Sequence, residues 1–445
     1  MRRATAPMTG GAAFDGGYGI ACAALSGSVL RPVRKVRTHA CGGRQKIIKI
    51  LRRKRTMKKR FLSLLMALCL MLSLAPAAFA VDADTATNPI TVTTETELKN
   101  AVGSNANYDL VTLGSDITLT STLEIGHAVT LSGGASKHTL TYGGTETAGA
   151  VSINTPDPVV MDSLIVTVAN ASTRGIKLAT TSPKFTFSNS VLNACFRGIW
   201  VETSCDADSV ITVSNSTIQN NQIPEGKTYD TWSYLGDARG IALWDMNDSK
   251  VEVLNSSILG FGYSINLAGT LTNNIRDYNN TEIIVTNSTI KGWTAFNVWS
   301  ARTIFTITNS TLKGINTSNG YWDGFATIVV NDDIYNYGWG GADANIFNIY
   351  GGTITCYRTG ATSEQLFRVD NQGVTEVNFN QYDVDEWTVE NVSIIDGTGD
   401  SEAVFYSGYE KTPDDWSTYM NAHVTGSENC TLTGYNGATL AFIPD

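Results

Sequence analysis

Acidic side chains come in close pairs at four places where the sequence indicates turns. The pairs are Asp206 and Asp208, Asp245 and Asp248, Asp332 and Asp333, and Asp383 and Asp385. Carboxylate oxygens are the ligands that calcium takes in proteins, so a Ca²⁺ site is one interpretation. Solvated turns are the other, because no segment has the full ligand series of a calcium loop. Calcium is the only cofactor that the sequence suggests.

Aromatic residues lie among Gly, Asn and Asp in three other polar segments. These segments hold Trp232, then Tyr321 and Trp322, then Trp339. Exposed flat rings beside short polar groups suit a sugar-binding surface, where rings stack on the sugar and polar groups bond its hydroxyls. The alternative is that the rings fold back and hold these segments down. We expect ligand binding by these four residues.

The elements that must position these residues follow from a recurring phrase, a short alternating strand ending in Asn-Ser-Thr-Ile or a variant. Clear copies begin at Phe185, Ile211, Val251, Ile283 and Phe305. In the second copy Ile211 and Val213 point to one face and Thr212 to the other, the pattern of a strand with one buried face. Repeats of this kind stack and bury a shared core. The sequence therefore predicts an all-β solenoid.

The asparagine of each phrase falls where the chain must turn, and Asn tolerates a left-handed backbone. We predict that stacked coils align these residues as a ladder of side-chain amides. The ladder comprises Asn189, Asn215, Asn255, Asn287 and Asn309.

A second phrase, Arg-Gly-Ile, begins at Arg174, Arg197 and Arg239 and marks another wall of the coil. The first two copies are 23 residues apart, which is close to the bare length of one coil. Longer intervals indicate inserted segments at 220–238, 317–324 and 332–345. Because these segments carry the tryptophans, we expect Trp232, Trp322 and Trp339 to share a side of the stack.

Catalytic groups are sparse on the outward strand positions. Glu252 stands in a column made mainly of threonines, and His127, His138 and His423 are isolated. Acid–base catalysis needs at least two ionisable groups that converge on one bond. The sequence leans away from an enzyme.

The chain divides into four parts. Residues 1–56 carry no pattern and read as a mis-assigned upstream extension, with a genuine basic extension as the alternative. Residues 57–80 form a three-part signal peptide with cleavage expected after Ala80. Residues 81–93 read as a linker, and the solenoid is expected over 94–445. Thr94 and Glu97 form a capping box that predicts a short helix over the first coil.

Cleavage changes the charge of the chain. Residues 1–80 hold 16 of the 32 bases and one of the 41 acids, so the remaining 365 residues carry a net charge of −24. This balance excludes a basic nucleic-acid footprint. We expect a secreted or surface-exposed monomer with no membrane span after cleavage, and truncation is one interpretation of the C-terminus. The pairing of Cys195 with Cys205 stays open.

The capping helix, the Asn-cornered coils and the Arg-Gly-Ile walls together resemble a right-handed parallel β-helix of the pectin-lyase-like class. The resemblance covers roughly residues 94–445. It implies a fold shared by polysaccharide lyases, glycoside hydrolases and non-catalytic surface proteins. The hydrolase motifs are incomplete, since Asn331-Asp-Asp lacks a Gly-His-Gly downstream.

Three functions therefore remain open. The leading interpretation is an adhesin-like bacterial surface protein that binds glycan or another surface ligand through its aromatic insertions. A lyase or hydrolase and a passive stalk are the alternatives.

Overall fold

The computed structural model describes most of the chain from residue 86 onward. The described residues are 86–144, 149–169, 173–201, 204–205, 208–268, 271–272, 275–276, 281–300, 302–316, 326–330, 345–358, 367–369, 375–379, 392–395, 405–406, 424–426 and 430–433. They belong to one compact unit, Ala75–Asp445. The expected extension and signal peptide, residues 1–80, lie outside the described residues.

One face of the described chain is a parallel sheet of 12 strands, called sheet A. Its strands are Pro89–Val92, Leu110–Leu113, Val129–Ser132, Val159–Asp162, Lys184–Ser188, Val210–Ser214, Lys250–Leu254, Glu282–Thr286, Ile304–Thr308, Asn345–Tyr350, Thr375–Phe379 and Val424–Thr425. The first strand lies inside the segment 81–93 that the sequence suggested as a linker. It pairs in parallel with Leu110–Leu113, so the stack begins there.

A second sheet, sheet B, contains 19 described strands and supplies two walls. Its strands are Ile117–Leu119, Leu123–Ile125, Thr139–Tyr142, Val151–Ile153, Ile165–Val168, Arg174–Leu178, Val191–Ala194, Arg197–Val201, Thr217–Asn220, Arg239–Trp244, Ser257–Ala268, Thr289–Val298, Thr311–Asn316, Ile328–Val330, Thr353–Arg358, Phe367–Val369, Val392–Ile395, Phe405–Tyr406 and Cys430–Thr433. Two further short strands, Leu271–Thr272 and Ile275–Arg276, form an antiparallel hairpin.

Between Leu110 and Tyr406, each described coil contributes one strand to sheet A and then runs through sheet B twice. We call the first passage the second wall and the next passage the third wall. Val191–Ala194 pairs in parallel with Thr217–Asn220 in the second wall, while Arg197–Val201 pairs with Arg239–Trp244 in the third. Ser257–Ala268 and Thr289–Val298 are long enough to run through both walls. This arrangement confirms the predicted parallel β-helix.

The alternating pattern of the repeats produces the core. Ile211, Val251 and Ile283 are register partners on successive coils, and all three are fully buried. Phe305 and Phe347 continue the same column with their rings stacked at 4.2 Å. Burial of one such side chain on every coil contributes about 1.5–3 kcal/mol relative to exposure. Cys195 and Cys205 are also buried, and no disulfide joins them.

The predicted helix is present at Glu95–Val102 and covers the first coils. Thr94 Oγ1 accepts from the backbone of Glu97, whose carboxylate accepts from the backbone of Thr94, which completes the capping box. Leu98, Ala101 and Val102 are buried on its inner face, as the sequence indicated. Burial raises the pKa of Glu95, but hydrogen bonds from Lys99 and Thr120 outweigh it and lower that pKa to about 2.

The corner asparagines have the expected backbone but not the expected ladder. All five have φ between 46° and 50°, the left-handed region that Asn tolerates. Their side chains are exposed, and among these five described corners one amide–amide bond is formed, from Asn287 Nδ2 to Asn255 Oδ1 at 3.3 Å. Because these amides face solvent and form one such bond, the continuous amide ladder predicted from the sequence is wrong.

The serine that follows each asparagine forms the continuous ladder instead. Ser190, Ser216, Ser256, Ser288 and Ser310 are all buried. The backbone N–H of each of the first four donates to the hydroxyl of the next serine at 3.0–3.1 Å. Each hydroxyl in turn donates to the carbonyl two residues before it, at 2.5–2.8 Å. In each Asn-Ser pair, Asn adopts the left-handed backbone of the corner and Ser forms the buried hydrogen bonds.

Candidate functional site

The first aromatic insertion, residues 221–237, is called here the strap. It connects Thr217–Asn220 in the second wall with Arg239–Trp244 in the third. Trp232 lies in the strap and is half-buried. A Cβ built on Gly260 would lie 2.6 Å from the ring of Tyr229 and 3.3 Å from the ring of Trp232. Both rings therefore pack over Gly260, which is the alternative that the sequence left open.

Polar contacts hold the strap against three later coils. Tyr234 N–H donates to Gly260 O at 2.9 Å, and Ser233 Oγ donates to Ile315 O at 2.8 Å. Asp230 Oδ1 lies 2.8 Å from Lys291 Nζ and 3.4 Å from Lys313 Nζ. The hydrogen bond from Lys291 lowers the pKa of Asp230. The strap is therefore fastened at Asp230, Ser233 and Tyr234.

The other predicted aromatic residues, Tyr321, Trp322 and Trp339, lie outside the described residues. The strands that flank them are described. The segment with Trp322 joins Thr311–Asn316 to Ile328–Val330, a passage from second to third wall like that of the strap. The segment with Trp339 joins Ile328–Val330 to Asn345–Tyr350 of sheet A. The expectation that Trp232, Trp322 and Trp339 share a side of the stack stays a prediction.

Carboxylates on the outward face of sheet A do not converge. Glu252 accepts from Thr212 Oγ1 at 3.1 Å and lies 2.6 Å from Lys250 Nζ. In the part of the chain that the structure describes, no group of three or more His, Cys, Asp or Glu side chains is placed to hold a metal ion. Asp206, Asp332, Asp333, Asp383 and Asp385 lie outside that part. No described residue set therefore fits a calcium-dependent step.

A group of residues that the sequence treated only as structural lies where the strap enters the third wall. The three Arg-Gly-Ile strands are in register, so that Arg174 pairs with Arg197 and Arg197 with Arg239. Neighbouring parallel strands are about 4.8 Å apart, so the Cβ atoms of these three arginines are close together. We define the arginine cluster as Arg174, Phe196, Arg197, Trp200, Asp237 and Arg239.

Aromatic rings lie against the guanidinium groups. Arg174 Cζ is 4.0 Å from the centre of the Trp200 ring, and Arg197 Cζ is 4.5 Å from that of Phe196. Lys177 Nζ also lies 5.8 Å from the Trp200 ring. A cation held over a ring face is stabilised by the ring quadrupole, by about 0.5–2 kcal/mol depending on exposure. Trp200 itself is half-buried at the surface of the coil.

Asp237, near the end of the strap, pairs with two of the arginines. Its Oδ2 lies 3.0 Å from Arg197 Nη2, and its Oδ1 lies 2.6 Å from Arg239 Nη2. Burial and the positive charge of Arg239 lower the pKa of Arg197 to about 10, against the raising effect of Asp237. The cluster members carry three positive charges and one negative charge, which is a local excess of cations on an acidic chain.

The chemistry of the arginine cluster is that of recognition. Guanidinium groups donate several hydrogen bonds in a fixed geometry, and rings offer flat apolar area. Sequence reasoning recorded the Arg-Gly-Ile phrase but missed the cluster. The available signal was the repetition of Arg, a residue that a structural wall does not need, at one position of three consecutive coils.

Comparisons with known proteins identify no family. No protein-family model and no curated protein matches the chain. Among solved structures it is similar to Geobacillus virus E2 ORF18, with a TM-score of 0.44 and 12% identity over 70% of this chain and 56% of that chain. The chain therefore spans only 56% of that protein's length.

Two further solved structures are similar to the chain. "L. reuters 100-23 SRRP" has a TM-score of 0.37 and 14% identity, over 79% of this chain and 97% of that one. The Dettilon tailspike protein has a TM-score of 0.32 and 11% identity, over 74% and 69%. Similarities at this level carry no argument about function. Among the described residues, no helix is long and apolar enough to cross a membrane.

Proposed function

We propose that this chain is a secreted or surface-exposed β-helix protein of the pectin-lyase-like class that binds glycan without cleaving it. The observation that carries the proposal is the arginine cluster, in which Trp200 and Phe196 lie beside three guanidinium groups in register. We therefore propose that the binding surface lies on the third wall beside the strap. The inserted loops with Trp322 and Trp339 remain candidates for additional contacts.

The cluster meets the two chemical needs of sugar recognition. A half-exposed indole stacks on the apolar face of a sugar ring, which contributes about 0.5–1.5 kcal/mol beyond simple area burial. Guanidinium N–H groups donate to hydroxyl and acidic oxygens of the same sugar. Because each of three stacked coils contributes one arginine to the cluster, a bound chain would run along the stack.

The enzyme alternative is a polysaccharide lyase or glycoside hydrolase with its site in the insertions. It is less favoured because Glu252, the outward acid that the sequence singled out, is already bonded to Thr212 and Lys250. The passive stalk is supported by the repeat alone and needs no cluster. Product analysis on any bound glycan separates the enzyme from the binder.

A glycan array with the purified protein and two variants tests the proposal. Trp200→Ala should weaken binding of any glycan hit by about tenfold, since it removes one stacked ring and the partner of Arg174. Arg302→Ala, an exposed arginine at a different corner, is the matched control and should bind like the natural protein. Binding that survives Trp200→Ala unchanged would refute the cluster as the site, and an array with no hit would favour the stalk.

Export is part of the same proposal. We infer cleavage after Ala80, which would leave Val81 as the first residue of the exported chain. N-terminal sequencing of the protein from culture medium or the cell surface tests this inference. Peptides from residues 1–56 in a mass spectrum of the mature protein would contradict it.

A further inference from the structure

We infer that Arg197 and Arg239 form an anion site that Asp237 of the strap occupies in the absence of ligand, and that an acidic group of a glycan displaces Asp237. The inference rests on the proposed function and adds the charge class of the ligand. The anionic group is a carboxylate or a sulfate ester, which share the chemistry of oxygen atoms that accept from guanidinium donors.

The contacts of Asp237 already show how such an anion is held. One carboxylate bridges two arginines of adjacent coils, with a different oxygen facing each guanidinium at 3.0 and 2.6 Å. Arg197 Nη1 reaches in addition to Asp237 O at 3.5 Å. A carboxylate between two guanidinium groups is the arrangement that a bound acidic sugar would reproduce.

The two arginine side chains are largely buried, whereas the carboxylate that pairs with them faces solvent. The side chains of Arg197 and Arg239 are 10% and 20% exposed, whereas that of Asp237 is 53% exposed. Two cations on adjacent coils repel each other and need a negative partner, while Asp237 can be hydrated by water when it leaves. Arg239 Nε is buried without a hydrogen-bond partner, so one donor of the site is still unused.

The strap can release Asp237 without detaching. Its anchors are Asp230, Ser233 and Tyr234, all on the N-terminal side of Gly236. Gly236 has φ of 119°, a backbone conformation that side chains rarely adopt. Ala238 N–H donates to Gly236 O at 2.9 Å, so that Asp237 is the tip of a tight turn. Rotation of the exposed Asp237 side chain withdraws the carboxylate while the backbone of the strap stays in place.

The strap therefore acts as a built-in competitor. A neutral glycan binds beside Asp237 and gains nothing from its departure. An acidic glycan must replace Asp237, so its affinity is reduced by the internal ion pair and rises when that pair is removed. This behaviour separates the inference from a simple charge effect on an acidic protein.

The experiment uses three polymers with one backbone, namely dextran, carboxymethyl dextran and dextran sulfate. Asp237→Asn keeps the shape of the side chain and removes its charge. It should bind at least one of the charged dextrans about five- to tenfold more tightly than the natural protein, while binding of neutral dextran stays unchanged. Glu282→Gln removes one exposed acid on sheet A and is the charge-matched control, expected to stay within about twofold.

A double variant fixes the location. Adding Arg197→Gln to Asp237→Asn should abolish the gain. The inference is overturned if Asp237→Asn binds no more tightly than Glu282→Gln, or if the gain survives loss of Arg197. The array hits and neutral dextran test the proposed function separately, because neither depends on the displacement of Asp237.

A measurement on the natural protein covers the case in which Asp237→Asn fails to fold. Titration with sodium sulfate should shift the guanidinium Nε–H resonances of Arg197 and Arg239, with sodium chloride at equal ionic strength as the control. Equal shifts in the two salts would overturn the inference.

Discussion

Replacing Ser256 by Ala removes the hydroxyl at one step of the buried serine ladder. Ser256 Oγ accepts from Ser216 N–H at 3.1 Å and donates to Leu254 O at 2.7 Å. Leu254 O also accepts from Asn215 N–H at 2.9 Å, so that carbonyl keeps a partner in the variant. The N–H of Ser216 loses its acceptor in the variant and is left buried without a hydrogen bond.

The loss of unfolding free energy in Ser256→Ala is estimated from the one buried donor that loses its acceptor. A buried N–H without an acceptor costs about 1–3 kcal/mol, and loss of a single oxygen atom leaves too little room for a water molecule. We expect Ser256→Ala to lower the free energy of unfolding by about 2 kcal/mol. Ser257→Ala, at the half-exposed next position, is the matched control and should cost less than about 0.5 kcal/mol.

The preceding asparagine provides a second comparison. Asn255→Ala removes the short polar side chain by which Asn tolerates φ of 49°, which costs about 1 kcal/mol, whereas Asn255→Gly should be close to neutral. Urea unfolding followed by circular dichroism gives the stabilities, and hydrogen exchange at the Ser216 amide gives the local effect. A Ser256→Ala protein within 0.5 kcal/mol of the natural one, or less affected than Asn255→Ala, would refute the reasoning.

Three further perturbations test other parts of the fold. Gly260→Ala should loosen the strap, because its new Cβ would lie 2.6 Å from the ring of Tyr229 at a φ of 77°; protease cleavage within 221–237 should accelerate by about tenfold. Asp230→Asn should lower the free energy of unfolding by less than about 1 kcal/mol, since its pair with Lys291 is exposed. In 1 M salt the Asp230→Asn variant and the natural protein should be cleaved within the strap at the same rate. The folded pKa of Glu95 is about 2 against an ordinary 4.5, so its contribution is full above pH 4.5 and is lost as pH falls toward 2. Thermal melts across that range should decline more steeply for the natural protein than for Glu95→Gln, and equal slopes would contradict the assignment.

Much of the fold is legible in the sequence because its signals are local. Alternation in the strand at Ile211 and the spacing from Thr94 to Glu97 each fix an element within a few residues. The stack then follows, because strands of one pattern and one length can bury their faces only against each other. The left-handed asparagine corner was legible for the same reason.

The sequence did not show which of two neighbouring polar side chains would be buried. Asn255 and Ser256 are both polar corner residues, and only the direction of the corner shows which of them is buried. The strap depends on pairs such as Asp230 with Lys313, which are 83 residues apart. The meeting of Arg197 with Asp237 requires the coil register and the end of an irregular insertion at once, and no short-range pattern encodes either.

Hydroxyl-radical footprinting with a bound glycan tests the central claim most directly. The protein is labelled with and without the glycan selected on the array, and oxidation is read at each aromatic residue by mass spectrometry. The account predicts that labelling of Trp200 and Phe196 falls by at least about threefold, while that of Tyr108, on an early coil, stays unchanged. Protection elsewhere with Trp200 and Phe196 labelled as before would contradict it.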